Sequence, residues 1–170
     1  SDFYTAYRAD RPEVGMWAQD WTLPEPTADS YTDEMMANAK EFSDTAMVVI
    51  TRVGGEGADL PTDVSKVTYT DNSTEYKDFE AGEHYLQLDR TERDMLDLVC
   101  SNFDNVIVVY NGANAMELGF INEYSQIKSA IWCPGTGQSG FEALGEIVAG
   151  TVNPSGKTSD TFVADLTATP

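Results

Sequence analysis

The chain has 170 residues, 41% hydrophobic, with 29 Asp plus Glu against 10 Lys plus Arg and a net charge of −19. That length and apolar content suit one domain with its own core. The charge repels phosphate, which excludes nucleic acid and anionic membrane surfaces as partners, and no apolar run approaches the ~20 residues of a membrane span.

The chain opens Ser1-Asp2-Phe3 rather than on Met, with no signal-peptide pattern, and so reads as processed or excised from something longer. Residues 1–30 are irregular, with Tyr4, Tyr7, Trp17 and Trp21 among prolines and charges, and read as a segment that packs its aromatic residues on a neighbouring domain or sheet edge. The rest, 31–170, reads as one α/β domain with a loop or insertion at 62–84. Met35, Met36, Ala39 and Phe42 predict a helix from Ser30 to Phe42. Ala46-Met47-Val48-Val49-Ile50 predicts a buried strand. A Gly-rich loop follows, Thr51-Arg52-Val53-Gly54-Gly55-Glu56-Gly57-Ala58-Asp59-Leu60-Pro61. The polar stretch 62–84 includes Asp71-Asn72-Ser73-Thr74, which is turn-like and contains a glycosylation sequon.

Asp89-Arg90-Thr91-Glu92 has the capping-box pattern, and Met95, Leu96, Val99 and Phe103 mark one face of the helix it opens. Asn105 to Tyr110 is a strand apolar enough to be buried on both faces. Asn111-Gly112 turns the chain, a short helix is expected at 115–118, and Ala130-Ile131-Trp132 is the next strand. Pro134 to Gly140 form a turn, Phe141 to Val148 a helix with Gly150 just past its end, and Asn153 to Lys157 a further turn. Strands alternating with helices predict an α/β fold: a three-layer α/β/α sandwich around a mostly parallel, flavodoxin-like sheet. Glu56, Asn111 and Gly135 all follow strands and are expected along one edge of it, where sites form.

Two features carry candidate chemistry. Glycines on both sides of Glu56 let another molecule approach one carboxylate closely; a structural turn is the alternative, since acidic residues are abundant. Gly135-Thr136-Gly137-Gln138-Ser139-Gly140 matches the dinucleotide pattern G-x-G-x-x-G. It stands in a late βα turn, however, and Ser139 with Glu142 forms a second capping-box pattern that accounts for part of it without a ligand. One histidine, His84, and two unpaired-looking cysteines, Cys100 and Cys133, give no metal-binding spacing; both cysteines read as small buried hydrophobes, and a disulfide between them stays open.

Several segments together resemble the α/β-sandwich domain of glycoside hydrolase family 3, the β-glucosidase family. They are Gly55-Glu56-Gly57-Ala58-Asp59, Asn105-Val106-Ile107-Val108-Val109, Trp132-Cys133-Pro134-Gly135 and Asn153-Pro154-Ser155-Gly156-Lys157-Thr158, in the family's order over about two thirds of the chain. The resemblance implies that Glu56 is the acid/base residue of a retaining glycosidase. It implies that Arg52 and Asp59 contact substrate or support Glu56, and that no cofactor or metal is needed. The nucleophilic Asp of that family stands on a (β/α)8 barrel, which needs ~250 residues, so this chain would be half of an active site. Its partners would be a β-linked glucoside or oligosaccharide and the barrel of the same enzyme, with the sandwich preceding the barrel in the closest-looking members. Trp132 is assigned to the core and Trp17 and Trp21 to interdomain packing, with sugar stacking as the alternative. The rivals are a non-catalytic nucleotide or small-ligand module using Gly135–Gly140 and a pure interaction domain.

Overall fold

A computed structural model describes residues 26–54, 59–66 and 80–168, with Thr5 and Ala9 as isolated positions. Three parallel strands form one sheet in the order β1 (Thr45–Thr51), β2 (Asn105–Asn111), β3 (Ile127–Trp132). The register runs Thr45 to Asn105 through Thr51 to Asn111 on one side of β2. On the other side Tyr110 pairs with Trp132, after an irregularity at Val106/Ile107. All three strands therefore end along the same edge. Among the described residues the helices that can be followed end to end are α1 (Asp33–Phe42), α2 (Arg90–Asn102) and α3 (Phe141–Val148).

Local signals set most of these limits. Helix α1 starts at Asp33, three residues later than its spacing predicts, because Thr32 caps it by accepting the Met35 amide and Ala28–Ser30 form a separate 3₁₀ turn. Helix α2 starts where its capping box predicts. The Asp89 carboxylate accepts the Glu92 amide at 2.7 Å, and the Glu92 carboxylate accepts the Asp89 amide at 3.0 Å. Gly150 takes φ +73° and ends α3, a backbone state that glycine adopts without strain. The helix expected at 115–118 does not form. The Glu117 amide donates to Leu86 O and the Leu118 amide to Val163 O, so these donors are committed to other segments, and a 3₁₀ turn follows at Gly119–Asn122.

The core lies between one face of the sheet and α2. Val48 and Ile50 of β1 and Val106, Val108 and Tyr110 of β2 meet Leu96, Cys100 and Phe103, with Met116 and Phe120 closing the side. Period two brings the strand residues to one face, and the i, i+4 spacing brings Leu96 and Cys100 to one stripe. The central strand is buried as expected, with Val109 covered on the second face as well. Edge strand β1 differs from the buried strand expected of it. Met47 and Val49 point to the second face and are 50% and 47% exposed. Both cysteines are free thiols, Cys100 buried and Cys133 half-buried; burial, then the Asp97 charge, pushes the Cys100 thiol pKa up. The helix expected over 30–42 and the turn at 153–157 lie in described residues, whereas Tyr4, Tyr7, Trp17, Trp21 and the sequon at 72–74 lie outside them.

Leu96 is fully buried at the centre of this core. Leu96→Ala is expected to destabilise the domain by about 3 kcal/mol, the sum of lost transfer energy and a residual cavity. Urea unfolding of the purified chain checks this, and a loss below about 1 kcal/mol would contradict the packing described.

Candidate functional site

The carboxyl edge of the sheet is organised by Arg52, the first residue past β1. Its amide extends the ladder by donating to Asn111 O at 3.1 Å, and its side chain turns inward rather than out to solvent, leaving the residue 7% exposed. There it meets Glu92, which lies one turn before Leu96 on the buried stripe of α2 and is 0% exposed. The two form a bidentate pair, Nη1 to Oε1 at 2.5 Å and Nη2 to Oε2 at 2.6 Å. The remaining donors reach backbone carbonyls: Nε to Tyr85 O at 2.7 Å, Nη2 to Gln87 O at 2.6 Å and Nη1 to Thr51 O at 2.9 Å. A guanidinium has five N–H donors, and these five bonds use them all. Burial pulls the Arg52 pKa down and is the largest single influence. The charge of Glu92 and its hydrogen bond, helped by Asp89 and Tyr85, outweigh it and hold the guanidinium above its ordinary value.

Tyr85 is the second organiser, and it is 2% exposed. Its hydroxyl accepts the Val53 amide at 2.7 Å. Its own amide donates to Pro61 O at 3.2 Å, and its carbonyl takes the Arg52 Nε proton. The ring packs with Val64 and Leu60 and lies 5.5 Å from the Arg52 guanidinium carbon. Both stems of the loop between β1 and Val64 are thus held by one residue. Gly54 lies so close to the neighbouring loop that an added Cβ would meet Asn114 Oδ1 at 2.5 Å, so the loops after β1 and β2 touch.

At the ends of β2 and β3, the Asn111 side chain donates to Cys133 O at 2.7 Å and Trp132 Nε1 donates to Gly112 O at 2.8 Å. Phe162 meets Trp132 and Tyr110 edge-on, with centroids at 5.3 and 6.2 Å. Trp132 is therefore tied by both its ring and its N–H, in accord with its assignment to the core. A cavity of about 510 Å³ lies beside it, bounded by Val108, Tyr110, Trp132, Asp160 and Phe162 among others. The Tyr110 hydroxyl is buried, and burial is the first cause pushing its pKa up to about 12.

Glu56, with Gly55, Gly57 and Ala58, lies outside the described residues. Asp59 is exposed at the start of the returning stem. Arg52 keeps no N–H for a ligand, so its geometry is that of a supporting group. At Gly135–Gly140 the expected Ser139–Glu142 capping box is absent. The cap of α3 is Gly140 in a helical conformation with no side-chain bond, because a turn already links the Gly140 amide to Thr136 O and the Glu142 amide to Ser139 O.

Residues 5–170 match the glycosyl hydrolase family 3 C-terminal domain. The chain belongs to that family. Beta-glucosidase A of Butyrivibrio fibrisolvens is 34% identical over 174 residues, covering 96% of this chain and 20% of that protein. A beta-glucosidase of Ruminococcus albus is 27% identical over 170 residues, covering 98% of this chain and 16% of that protein. The solved beta-glucosidase of Paenibacillus barengoltzii superposes with a TM-score of 0.68 at 29% identity, over 89% of this chain and 14% of that one. The chain thus spans a fifth or less of these relatives, and the family 3 assignment agrees with the parallel α/β-sandwich described above.

Within this family 3 domain, two structural residues escaped the sequence reading. Glu92 was assigned only to the capping box, although its spacing from Leu96 and Cys100 at four and eight residues places it on the buried stripe. A carboxylate there requires a buried cation, and Arg52 beside an apolar strand was the available one. Tyr85 left no such signal, since it sits in a polar stretch with no periodicity.

Glu92→Gln is expected to cost about 3–5 kcal/mol, because it strands the Arg52 charge in the interior. The double change Arg52→Met, Glu92→Leu should recover most of that loss. Urea unfolding of the parent chain and the two variants checks this, and a cost below about 1 kcal/mol for Glu92→Gln would contradict the buried pair.

Proposed function

We propose that this domain supplies a general acid/base, Glu56, to a retaining β-glucosidase whose nucleophilic aspartate stands on a (β/α)8 barrel outside the 170 residues. The observation that carries the proposal is the position of the loop: a glycine-flanked carboxylate lies between two stems anchored at the carboxyl edge of a parallel sheet, where such folds bind ligands. The relatives support it, since each is a beta-glucosidase.

In this mechanism the barrel aspartate attacks the anomeric carbon while Glu56 gives its proton to the departing glycosidic oxygen. A water then enters, Glu56 takes its proton, and the glycosyl–aspartate bond breaks. Retention requires the two carboxyl groups to stand about 5–5.5 Å apart, so domain docking must bring them together. Enclosure by sugar and barrel, together with the nucleophile's negative charge, would raise the Glu56 pKa enough to keep it protonated for the first step. Asp59, three residues on, supports the loop, and the substrate is a β-linked glucoside or oligosaccharide. The nucleotide alternative at Gly135–Gly140 rests on spacing alone.

The expected outcomes follow from the divided site. The 170-residue chain alone does not turn over a nitrophenyl β-glucoside. In the enzyme that carries the domain, Glu56→Ala slows substrates with poor leaving groups, by about 10²–10⁴-fold, far more than activated aryl glucosides. Azide restores part of the activity by attacking the glycosyl–enzyme without a base. Steady-state kinetics across a leaving-group series reads this, and equal losses for all substrates without azide rescue would remove Glu56 from the role.

A further inference from the structure

A long loop that carries one working carboxylate loses rate if its stems wander, because acid catalysis depends on placing the proton within hydrogen-bond reach of the leaving oxygen. The stems here are both held by one residue. Tyr85 touches the outgoing stem through its hydroxyl, which accepts the Val53 amide at 2.7 Å, and through its carbonyl, which takes the Arg52 Nε proton at 2.7 Å. It touches the returning stem through its amide, which donates to Pro61 O at 3.2 Å, and through its ring, which packs with Leu60 and Val64. A second bond on that side, Val64 N to Glu83 O at 3.0 Å, ties the same two strands of chain together. Tyr85 itself is held by the segment that leads into α2, where Leu88 and Glu92 are buried.

A core tyrosine that only filled space would not need its hydroxyl on a loop amide. Here the oxygen sits on Val53, three residues before Glu56, and the fully extended chain between them spans no more than about 11 Å. A shift of the Val53 amide therefore moves the start of that short tether directly.

We propose that Tyr85 is a positioning residue for the acid/base step: its hydroxyl fixes where the outgoing stem leaves the sheet, while its amide and ring fix where the returning stem rejoins it. The proposal rests on the assignment of Glu56 as acid/base. Arg52 sets the depth of the outgoing stem, and Tyr85 sets the gap between the two. The hydroxyl acts on Glu56 through the backbone and takes no part in bond making.

The test is Tyr85→Phe in the enzyme that carries the domain, which removes one oxygen and keeps the ring against Arg52, Leu60 and Val64. The expected result is about a tenfold fall in kcat/KM for glucosides with poor leaving groups, one of the two to four powers of ten typical of general acid catalysis, with kcat/KM for dinitrophenyl glucoside nearly unchanged. A purely structural tyrosine would lower the active fraction and so reduce both rates alike; that result, or no change in either, overturns the proposal. If Tyr85→Phe fails to fold, Val53→Pro removes the donor from the other side of the same bond and should give the same selective loss. Glu56→Ala measured in parallel separates the two claims. Selective loss in Glu56→Ala without selective loss in Tyr85→Phe overturns the positioning role alone, whereas uniform loss in Glu56→Ala overturns the acid/base assignment and the positioning role with it.

Discussion

Glu92 holds a place on α2 where the packing calls for an apolar side chain, between the capping turn and Leu96 on the buried stripe. Moving a carboxylate and a guanidinium out of water costs several kcal/mol per ion, and their attraction repays it only when the geometry is good and every remaining donor is satisfied. Arg52 meets both conditions, with a bidentate pair and three carbonyls. The pair need not add net stability over an apolar replacement. What it adds is registry: the end of β1, the start of α2 and the segment at Tyr85–Gln87 must all be in place before the five donors are met. The loop after β1 leaves the sheet from that fixed point.

The same pair explains how a capping motif became part of the site's foundation. Glu92 accepts the Asp89 amide and the Arg52 side chain through the same Oε2 atom, while Oε1 accepts from Arg52 Nη1. One carboxylate therefore starts a helix correctly and neutralises a cation from the neighbouring strand. Helix start and loop start are linked through it, so a change at either is felt at the other. Tyr85 extends the link to the returning stem.

Much of the fold was written in local pattern. The apolar strands at 105–110 and 130–132, the capping box at Asp89 and the closing glycine at 150 are short-range signals, and the structure follows them. The departures have non-local causes. The helix expected at 115–118 lost its amides to Leu86 and Val163, and Ser139 lost its cap to a preceding turn; both partners are set by tertiary arrangement that no window of sequence contains. Edge strand β1 carries the same apolar run as a central strand, so composition alone could not tell that Met47 and Val49 face outward. For the site, the glycine-flanked Glu56 stood out in the sequence, while its support did not. Arg52 was legible as a loop neighbour but not as a buried ion, and Tyr85 sits in a stretch whose polarity hides its burial.

Arg52 faces inward with every donor bound to the protein, and amide and guanidinium NMR of the chain tests this directly. A side chain so enclosed should show resolved, slowly exchanging Arg52 Nε and Nη protons at neutral pH that do not move when glucose is added. Arg52 guanidinium protons that exchange freely with water, or that shift on adding the sugar, would show a side chain turned to solvent or ligand and would contradict it.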